Sequence, residues 1–276
     1  MNVKRVLFGV VAAAVFSSLV LVGCGGDGAT TFKLKIEANP KNGGTIAPTG
    51  TIKYNVGVEA TVTVTENDGY IFTGWSGAST AKTPSVTVTM NSNQTLTANF
   101  EKVITGTFTD NRDDKKYRTI KIAGKTWMAE NLNFKTDYSL CYENNENNCQ
   151  KYGRLYYWHE AMIACPVGWR LPTREDWNDL VQVAGGDVAG KKLKSKTGWN
   201  GTDKFGFSAL PSGHKWRLWK FENIGESSSW WSATQSSWGI NFAYKRSVYS
   251  DYDGVREYEN YHNCKTNGFS VRCVQN

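Results

Sequence analysis

Few side chains in this 276-residue sequence are of types and spacings that could support catalysis or bind a metal. The three histidines are His159, His214 and His262, and none of them lies in a His-Glu-x-x-His motif. A nucleophile elbow and a Walker loop are also absent from the sequence. Asp251-Tyr252-Asp253-Gly254 begins like a calcium loop, but its twelfth position is His262 rather than glutamate, which excludes an EF-hand. These patterns favour a protein that is not an enzyme and that binds no metal or other cofactor.

Three neighbouring acids, Glu175, Asp176 and Asp179, could supply the carboxylate pair of a glycoside hydrolase. They follow Thr173, which is a good N-cap at the start of an apolar helical pattern. Acids in a first turn interact favourably with the helix dipole, and Asp179 falls on the outer face of the helix. We therefore interpret all three as solvated residues of a helix rather than as an acid pair.

Aromatic residues are the best indication of binding, because the sequence contains eleven Trp, thirteen Tyr and twelve Phe. Exposed Trp and Tyr rings can stack on the apolar faces of sugars, but strands also favour aromatic residues in the core. Trp230 and Trp231 are adjacent in a predicted strand, so one should face inward and the other outward. The predicted ligand-binding residues are Trp216, Trp219 and Trp238, since turn-like segments surround them.

The formal net charge of +7 raises the question of a polyanionic partner. The densest basic segment is Lys191-Lys192-Leu193-Lys194-Ser195-Lys196. It could contact nucleic acid, or it could be a solvated loop. Because no nucleic-acid-binding motif accompanies the charge, we interpret the segment as a loop and expect no nucleic-acid partner.

The N-terminus predicts export and membrane attachment. Lys4 and Arg5 precede an uncharged apolar run, Val6–Val22, and the small residue Gly23 precedes Cys24. A transmembrane helix is one interpretation, but the run is short for a span. The segment resembles a bacterial lipoprotein signal that ends in a lipobox.

This resemblance implies that residues 1–23 are a signal peptide and that Cys24 is lipidated. Cys24 would then carry a diacylglycerol and an amide-linked acyl chain such as palmitate, and residues 24–31 would form a tether. Gly25 follows the lipidated cysteine, where aspartate would retain a lipoprotein at the inner membrane. We therefore expect an outer-membrane protein, lipid-anchored on the periplasmic or extracellular face.

Residues 32–102 predict a small all-β domain. Alternating apolar and polar residues indicate strands, and clusters such as Asn39-Pro40-Lys41-Asn42-Gly43-Gly44 indicate turns. The segment resembles the divergent internalin B-repeat family, which implies a β-grasp-like surface module. Trp75 could be an exposed platform or a core residue, and we favour the core. The residues that carry the resemblance are Ala38-Asn39-Pro40, Gly43-Gly44, Gly69-Tyr70, Phe72-Thr73-Gly74-Trp75-Ser76-Gly77, Asn93-Gln94-Thr95 and Thr97-Ala98-Asn99-Phe100.

Residues 103–276 predict an α+β domain with two helices and several short strands. Tyr117–Ile122 and Lys125–Met128 flank Ala123-Gly124 and predict a hairpin. The second helix should end at Gly185-Gly186, and Gly268–Cys273 alternates as a strand with Ser270 and Arg272 on one side. The apolar faces of the two helices are Leu155, Trp158, Met162 and Cys165 for the first, and Trp177, Leu180, Val181 and Ala184 for the second.

The same region resembles the Fibrobacter succinogenes major paralogous domain along its whole length. The resemblance implies a distant relative of the C-type lectin fold, with short antiparallel strands and no defined activity. The residues that carry it are Trp127-Met128-Ala129-Glu130-Asn131-Leu132, Tyr152-Gly153-Arg154-Leu155-Tyr156, Cys165-Pro166-Val167-Gly168-Trp169-Arg170-Leu171-Pro172, Ala189-Gly190-Lys191-Lys192-Leu193-Lys194, Gly206-Phe207-Ser208-Ala209-Leu210-Pro211, Trp231-Ser232-Ala233-Thr234 and Gly268-Phe269-Ser270-Val271-Arg272-Cys273.

Five cysteines remain after Cys24, and pairing is the default in an exported protein. Cys141 and Cys149 bracket a polar loop and are predicted to close it. The lectin-like resemblance implies that the end of the first helix and the last strand are adjacent, which pairs Cys165 with Cys273. Cys264 is then left over, either as a reactive thiol or as a departure of this chain from its family.

Together these observations predict an outer-membrane, surface-exposed lipoprotein that acts as a non-enzymatic binding or adhesion module, with polysaccharide as the candidate ligand. One alternative is a structural cell-envelope component with a protein partner. Another is an enzyme, because the lectin-like fold also includes the formylglycine-generating oxidases. Such an oxidase requires a reactive cysteine pair.

Overall fold

A computed structural model describes residues 30–67, 69–216, 220–259 and 264–276. The predicted signal peptide, Cys24, Trp219 and His262 lie outside the described residues. Within them, no helix combines the length and the apolar character needed to cross a membrane.

The first unit is built only of strands in its described residues and forms two sheets. One sheet has the order β3-β1-β7-β5 and the other the order β2-β4-β6. The central pair β1 and β7 is parallel, with Leu34 opposite Gln94 and Asn39 opposite Asn99. Its strands are β1 (Thr31–Asn39), β2 (Gly44–Ala47), β3 (Gly50–Asn55), β4 (Glu59–Glu66), β5 (Tyr70–Gly77), β6 (Ser85–Thr89) and β7 (Gln94–Lys102).

Alternation along these strands sends their apolar residues into one core between the two sheets. β4 shows this most clearly, because Ala60, Val62 and Val64 are buried while the threonines between them are exposed. Trp75 is a core residue with 3% of its surface exposed, and its Nε1 donates a hydrogen bond to the Thr83 carbonyl at 3.0 Å. It is therefore not an exposed platform.

The second unit is mostly β in its described residues, which also form four α-helices. Its strands are β8 (Ile104–Asp110), β9 (Lys115–Ile122), β10 (Lys125–Met128), β11 (Ser139–Leu140), β12 (Leu155–Tyr156), β13 (Trp169–Arg170), β14 (Ser212–Lys215), β15 (Phe221–Ile224), β16 (Ser227–Gln235), β17 (Ala243–Tyr249), β18 (Tyr252–Tyr258), β19 (Phe269–Ser270) and β20 (Val274–Gln275). Its helices are α1 (Glu146–Tyr152), α2 (Trp158–Ala164), α3 (Arg174–Val183) and α4 (Ala189–Leu193), with 3-10 turns at Tyr142–Asn144 and Gly186–Val188.

These strands form one five-stranded and one eight-stranded sheet. The five-stranded sheet has the order β13-β20-β10-β9-β8. The other follows the path β11-β12-β19-β16-β14-β15, with β17 on β16 and β18 on β17. The predicted hairpin is β9–β10, and Ala123 and Gly124 both take positive φ in its turn. The larger sheet is mixed rather than purely antiparallel, because β16 runs parallel to both β14 and β19.

The prediction of two helices was only partly right. α3 begins at its predicted N-cap, and Thr173 and Asp176 form a reciprocal capping box. The first predicted helix is shorter, because Leu155 belongs to β12, and Met162 is 42% exposed instead of buried. α1 was missed because its seven residues are mostly polar and carry no apolar periodicity.

Trp230 and Trp231 are both buried, which corrects the prediction that one of them faces solvent. They are 1% and 0% exposed. The two rings do point to opposite faces of β16, but each face is covered by a core. Trp230 packs with Trp177 and Phe207 on one face, and Trp231 packs against Phe269 on the other, at 4.5 Å between ring centroids.

The C-terminal segment is likewise buried on both sides. Phe269 and Val271 are fully buried as predicted, but Ser270 and Arg272 on the opposite side are also only 0% and 1% exposed. Cys273 forms a disulfide with Cys165.

The structure thus joins the cysteine pairs expected from the sequence. The second disulfide links Cys141 to Cys149 and encloses a 3-10 turn and the start of α1 rather than an irregular loop. Cys264 is the one free cysteine of the described residues, and its Sγ lies 3.1 Å from the Thr266 hydroxyl.

The two units contact each other directly. Ile71 of β5 is 1% exposed and belongs to the core cluster of the second unit. Beside it, the Lys204 amino group donates to the carbonyls of Glu66 and Asn67, and Lys192 lies 3.7 Å from the Glu66 carboxylate. The contact therefore combines a buried apolar residue with polar links.

The basic segment 191–196 is not a solvated loop. Its first residues form α4, and Lys194 is fully buried. The Lys194 amino group donates to the carbonyls of Tyr249 and Tyr252 at 2.7 and 3.0 Å. The lysine therefore fastens α4 to the β17–β18 turn, a structural role that the sequence pattern does not distinguish from a surface charge.

Candidate functional site

A pocket of about 360 Å³ opens on the second unit where five segments meet. It lies between β9, the segment after β10, the end of α1 and the loop that follows α4, and Arg272 forms part of its floor. Its size falls within the usual range for small-ligand sites. Its lining residues are Lys115, Lys116, Tyr117, Arg118, Glu130, Asn131, Gln150, Lys151, Tyr152, Gly153, Ser195, Lys196, Thr197, Asp203, Ser208, Leu210 and Arg272.

Asn131 holds the inner part of the pocket together. Its Nδ2 donates to the Tyr152 carbonyl at 2.9 Å and to the Ser270 hydroxyl at 3.3 Å. Its Oδ1 accepts from Trp230 Nε1 at 2.8 Å and from Arg272 Nε and Nη2 at 3.2 and 3.0 Å. One amide thus fixes α1, β16 and the C-terminal segment relative to one another.

Gly153 allows α1 to approach this amide. Its φ of +80° is unfavourable for other residues, and its N–H closes the helix on the Cys149 carbonyl. A Cβ at this position would lie 2.7 Å from the Asn131 Cβ and 2.9 Å from the Leu132 carbonyl oxygen. Only glycine fits here, and this close approach places Tyr152 at the wall of the pocket.

Arg272 is a buried cation on the floor. Besides Asn131, its guanidinium donates through Nη1 to the Phe207 carbonyl and lies 4.1 Å from the Phe207 ring. Burial lowers the pKa of Arg272 to about 9, because the charged form is poorly solvated there. It forms no ion pair with a carboxylate in the described part of the chain.

The walls carry more basic than acidic groups. Lys115, Lys116, Arg118, Lys151 and Lys196 supply positive charge. The two acids of the lining are already engaged by protein groups. Glu130 pairs with Arg118 at 3.2 Å, and Asp203 accepts from the Ser208 N–H and hydroxyl, both at 2.7 Å. The pocket is therefore positively polarised, with hydroxyl and amide groups between the charges.

The predicted aromatic platform is not part of this pocket. Trp238 is 62% exposed, as expected, whereas Trp216 is half-buried. The Trp216 ring packs 4.6 Å from His214, and its Nε1 donates to Glu222 at 2.8 Å. Neither tryptophan lines the pocket. That Trp216, Trp219 and Trp238 bind a ligand stays a prediction.

The other residues considered for chemistry have structural surroundings. His214 is 3% exposed with neither ring nitrogen hydrogen-bonded, and burial lowers its pKa to about 4, so that it is neutral near pH 7. Asp176 is buried rather than solvated, and it pairs with Arg170 and Lys125. Desolvation raises the pKa of this carboxyl, but the two basic partners and the hydrogen bond from the Thr173 N–H outweigh it and lower the pKa to about 2.

Two possible ion-binding clusters are also accounted for. Asp253 is the second residue of β18 in a tight hairpin, and its carboxylate lies 3.5 Å from the Lys191 amino group, so the acidic turn belongs to the hairpin. Cys141, Glu146 and Cys149 lie close together, but the two sulfur atoms are joined as a disulfide and are not available as thiolate ligands.

The pocket was missed because its residues come from five separate stretches of the sequence. The usable signal was a polar residue inside an otherwise apolar motif. Asn131 stands between Glu130 and Leu132 in the motif that begins Trp127-Met128-Ala129, and Arg272 stands between Val271 and Cys273. A buried amide and a buried guanidinium that bond to each other explain why polar residues interrupt these two motifs.

Comparison with protein families places both units. Residues 120–275 match the model of the Fibrobacter succinogenes major domain, and residues 34–104 match the model of the divergent InlB B-repeat domain. Searches of curated proteins and of solved structures found no match. The first family model covers more than half of the chain and contains most of the pocket lining.

Proposed function

Because the chain belongs to the Fibrobacter succinogenes major domain family and carries a B-repeat-like module, we propose that it is a surface-exposed outer-membrane lipoprotein that binds polysaccharide without catalysis. The second unit, with its curled mixed sheet, would be a distant relative of the C-type lectin fold. The first unit would act as a spacer between this unit and the lipid on Cys24.

The pocket beneath Tyr152 is the observation that supports this proposal. Sugars require a ring face for stacking and hydrogen-bonding groups for their hydroxyls, and the lining offers both. Tyr152 supplies a half-buried ring, and the hydroxyls of Ser195 and Ser208, which donate to the Thr197 carbonyl and to Asp203, can still accept from a sugar. These groups are held by internal hydrogen bonds, so little side-chain entropy remains to be lost on binding.

Tyr152→Ala should weaken binding of an oligosaccharide ligand by about 10-fold or more, because the variant removes the ring that a sugar would contact. The ligand would first be found on an array of plant-cell-wall and microbial oligosaccharides with the full-length protein in detergent, and then titrated by calorimetry. Tyr138→Ala is the matched control, since Tyr138 is 63% exposed and lies outside the pocket. If the two variants bind the oligosaccharide equally well, the ligand does not bind in this pocket.

Cys24→Ala should release the protein from membranes, since the proposed lipid is the attachment. Two or more acyl chains anchor a protein firmly, whereas one chain alone binds reversibly. The measurement is fractionation of cells into soluble and membrane pools, with lipid incorporation followed by mass spectrometry. Ser18→Ala, within the predicted signal peptide, is the control and should leave membrane attachment unchanged. Continued membrane association of the Cys24→Ala protein would contradict the lipoprotein assignment.

A structural envelope component with a protein partner is the second candidate. The observation that favours it is three exposed apolar residues near the end of α2, since Met162, Ile163 and Val167 are 42%, 72% and 98% exposed. Exposed apolar residues that form a patch often mark protein contacts. Site-specific cross-linking at position 163 in whole cells would identify such a partner.

The oxidase-like alternative has less support. A formylglycine-generating oxidase needs a reactive cysteine pair, and here Cys273 is bonded to Cys165 in the core. Cys264 has no second cysteine beside it among the described residues. We therefore keep the non-enzymatic assignment, which thiol titration of the native protein would test.

A further inference from the structure

The guanidinium of Arg272 has donors to spare among the described residues. Each of its three nitrogens meets a protein acceptor, two on Asn131 and one on the Phe207 carbonyl, but these bonds use only three of its five N–H groups. Arg272 is nevertheless only 1% exposed. A buried cation without a paired anion is costly, and such groups are usually paired or bind a ligand.

The charges around the pocket also indicate an anionic ligand. Six basic side chains line it, and its two acids are held by Arg118 and Ser208. No described carboxylate lies within ion-pair distance of Arg272, and the nearest acids act on it only from further away. The site therefore combines a buried guanidinium with lysines that are half-buried or exposed, an arrangement that stabilises an anion entering from solvent.

We propose that the ligand of this pocket is an acidic sugar, a uronic acid unit of a polysaccharide, whose carboxylate pairs with Arg272. The planar guanidinium fork matches the two oxygens of a carboxylate better than a lysine does. The sugar ring would lie against Tyr152, and its hydroxyls would meet Ser195, Ser208 and Thr197. This inference rests on the proposed polysaccharide-binding function and specifies its substrate class.

The test compares trigalacturonic acid with its fully methyl-esterified form, which keeps the rings but removes the charge. We expect the acid to bind the full-length protein in detergent at least about 10-fold more tightly, with affinity that falls as salt rises. Equal binding of acid and ester would overturn the inference and leave the polysaccharide function standing. Binding of neither, with no other oligosaccharide bound on the array, would contradict both.

Two further probes separate a uronate from other anions. A sulfated oligosaccharide of similar length tests whether a sulfate ester is preferred, and polyglutamate tests whether an acidic protein is the partner. Tighter binding of either probe than of trigalacturonic acid would overturn the assignment to a uronic acid. Weaker binding of both supports it.

Variants test the role of Arg272. Arg272→Lys keeps the charge but loses the fork, and should weaken binding of the acid about 10-fold while leaving binding of the ester unchanged. Because Arg272 is buried, a second variant is made at the exposed Lys196 on the rim. Lys196→Gln should weaken binding of trigalacturonic acid several-fold and make that binding less dependent on salt. Lys53→Gln on β3 is the control for the same charge change outside the pocket. Unchanged acid binding in both pocket variants would contradict the proposal.

Discussion

Replacing Cys165 and Cys273 together by serine should lower the free energy of unfolding by about 4 to 5 kcal/mol. The disulfide joins residues 108 positions apart, and the chain-entropy model assigns its stabilisation to restraint of the unfolded chain, which increases with loop length. It also fixes the end of α2 to the C-terminal segment that carries Arg272. Denaturant unfolding of the oxidised protein and the double variant, monitored by tryptophan fluorescence, measures the difference.

The other disulfide provides the control. Cys141 and Cys149 are separated by only 8 positions, so the same model predicts a loss smaller by about 2 kcal/mol when both are replaced by serine. Equal losses from the two double variants would show that local packing rather than loop length sets their contribution. A larger loss from the short loop would contradict the prediction outright.

Trp231→Ala should lower the free energy of unfolding by about 3 to 5 kcal/mol, because the ring is completely buried and leaves a cavity. Its Nε1 donates to the Tyr156 carbonyl at 2.8 Å, so that acceptor also loses its partner. Thermal and denaturant melts of the variant measure the effect. The loss should appear without any direct effect on a ligand, since Trp231 does not line the pocket.

Trp238→Ala is the matched comparison for the same substitution at an exposed ring. At 62% exposure it should change stability by less than about 0.5 kcal/mol. If Trp238 binds polysaccharide as predicted from its surroundings, the variant should lose affinity instead. A loss of stability comparable with that of Trp231→Ala would show that the Trp238 ring is packed rather than free.

The sequence predicts those elements whose pattern is local. α3 has an N-cap, an apolar face and a glycine stop, and the β9–β10 hairpin has a turn of small residues, so each is specified by adjacent residues. The strands of the first unit follow for the same reason, since β4 alternates strictly. Two strands of that unit, β2 and β3, are not indicated by the sequence, because each begins at a glycine and contains few apolar residues.

Features that depend on distant residues could not be predicted in this way. Alternation in β16 correctly separates Trp230 from Trp231, but it does not reveal that a second core covers the other face. Likewise, the alternating pattern places Arg272 on the side of the strand opposite Val271. It does not show that the Arg272 guanidinium donates there to Asn131, which is 141 residues away in sequence. The pocket is composed of such long-range contacts, and its existence follows only from the fold.

The parallel pairing of β1 and β7 has a mechanical consequence under the proposed anchoring. The tether would pull on the start of β1, while a polysaccharide held by the second unit would pull on the end of β7. The two strands are parallel and adjacent, so these opposing forces act along the strands. They load the β1–β7 hydrogen bonds over the paired segment Leu34–Asn39 in shear and at the same time, rather than breaking them one after another. The first unit would therefore resist a pulling force between the membrane and a surface. It would unfold only when the hydrogen bonds between β1 and β7 break together.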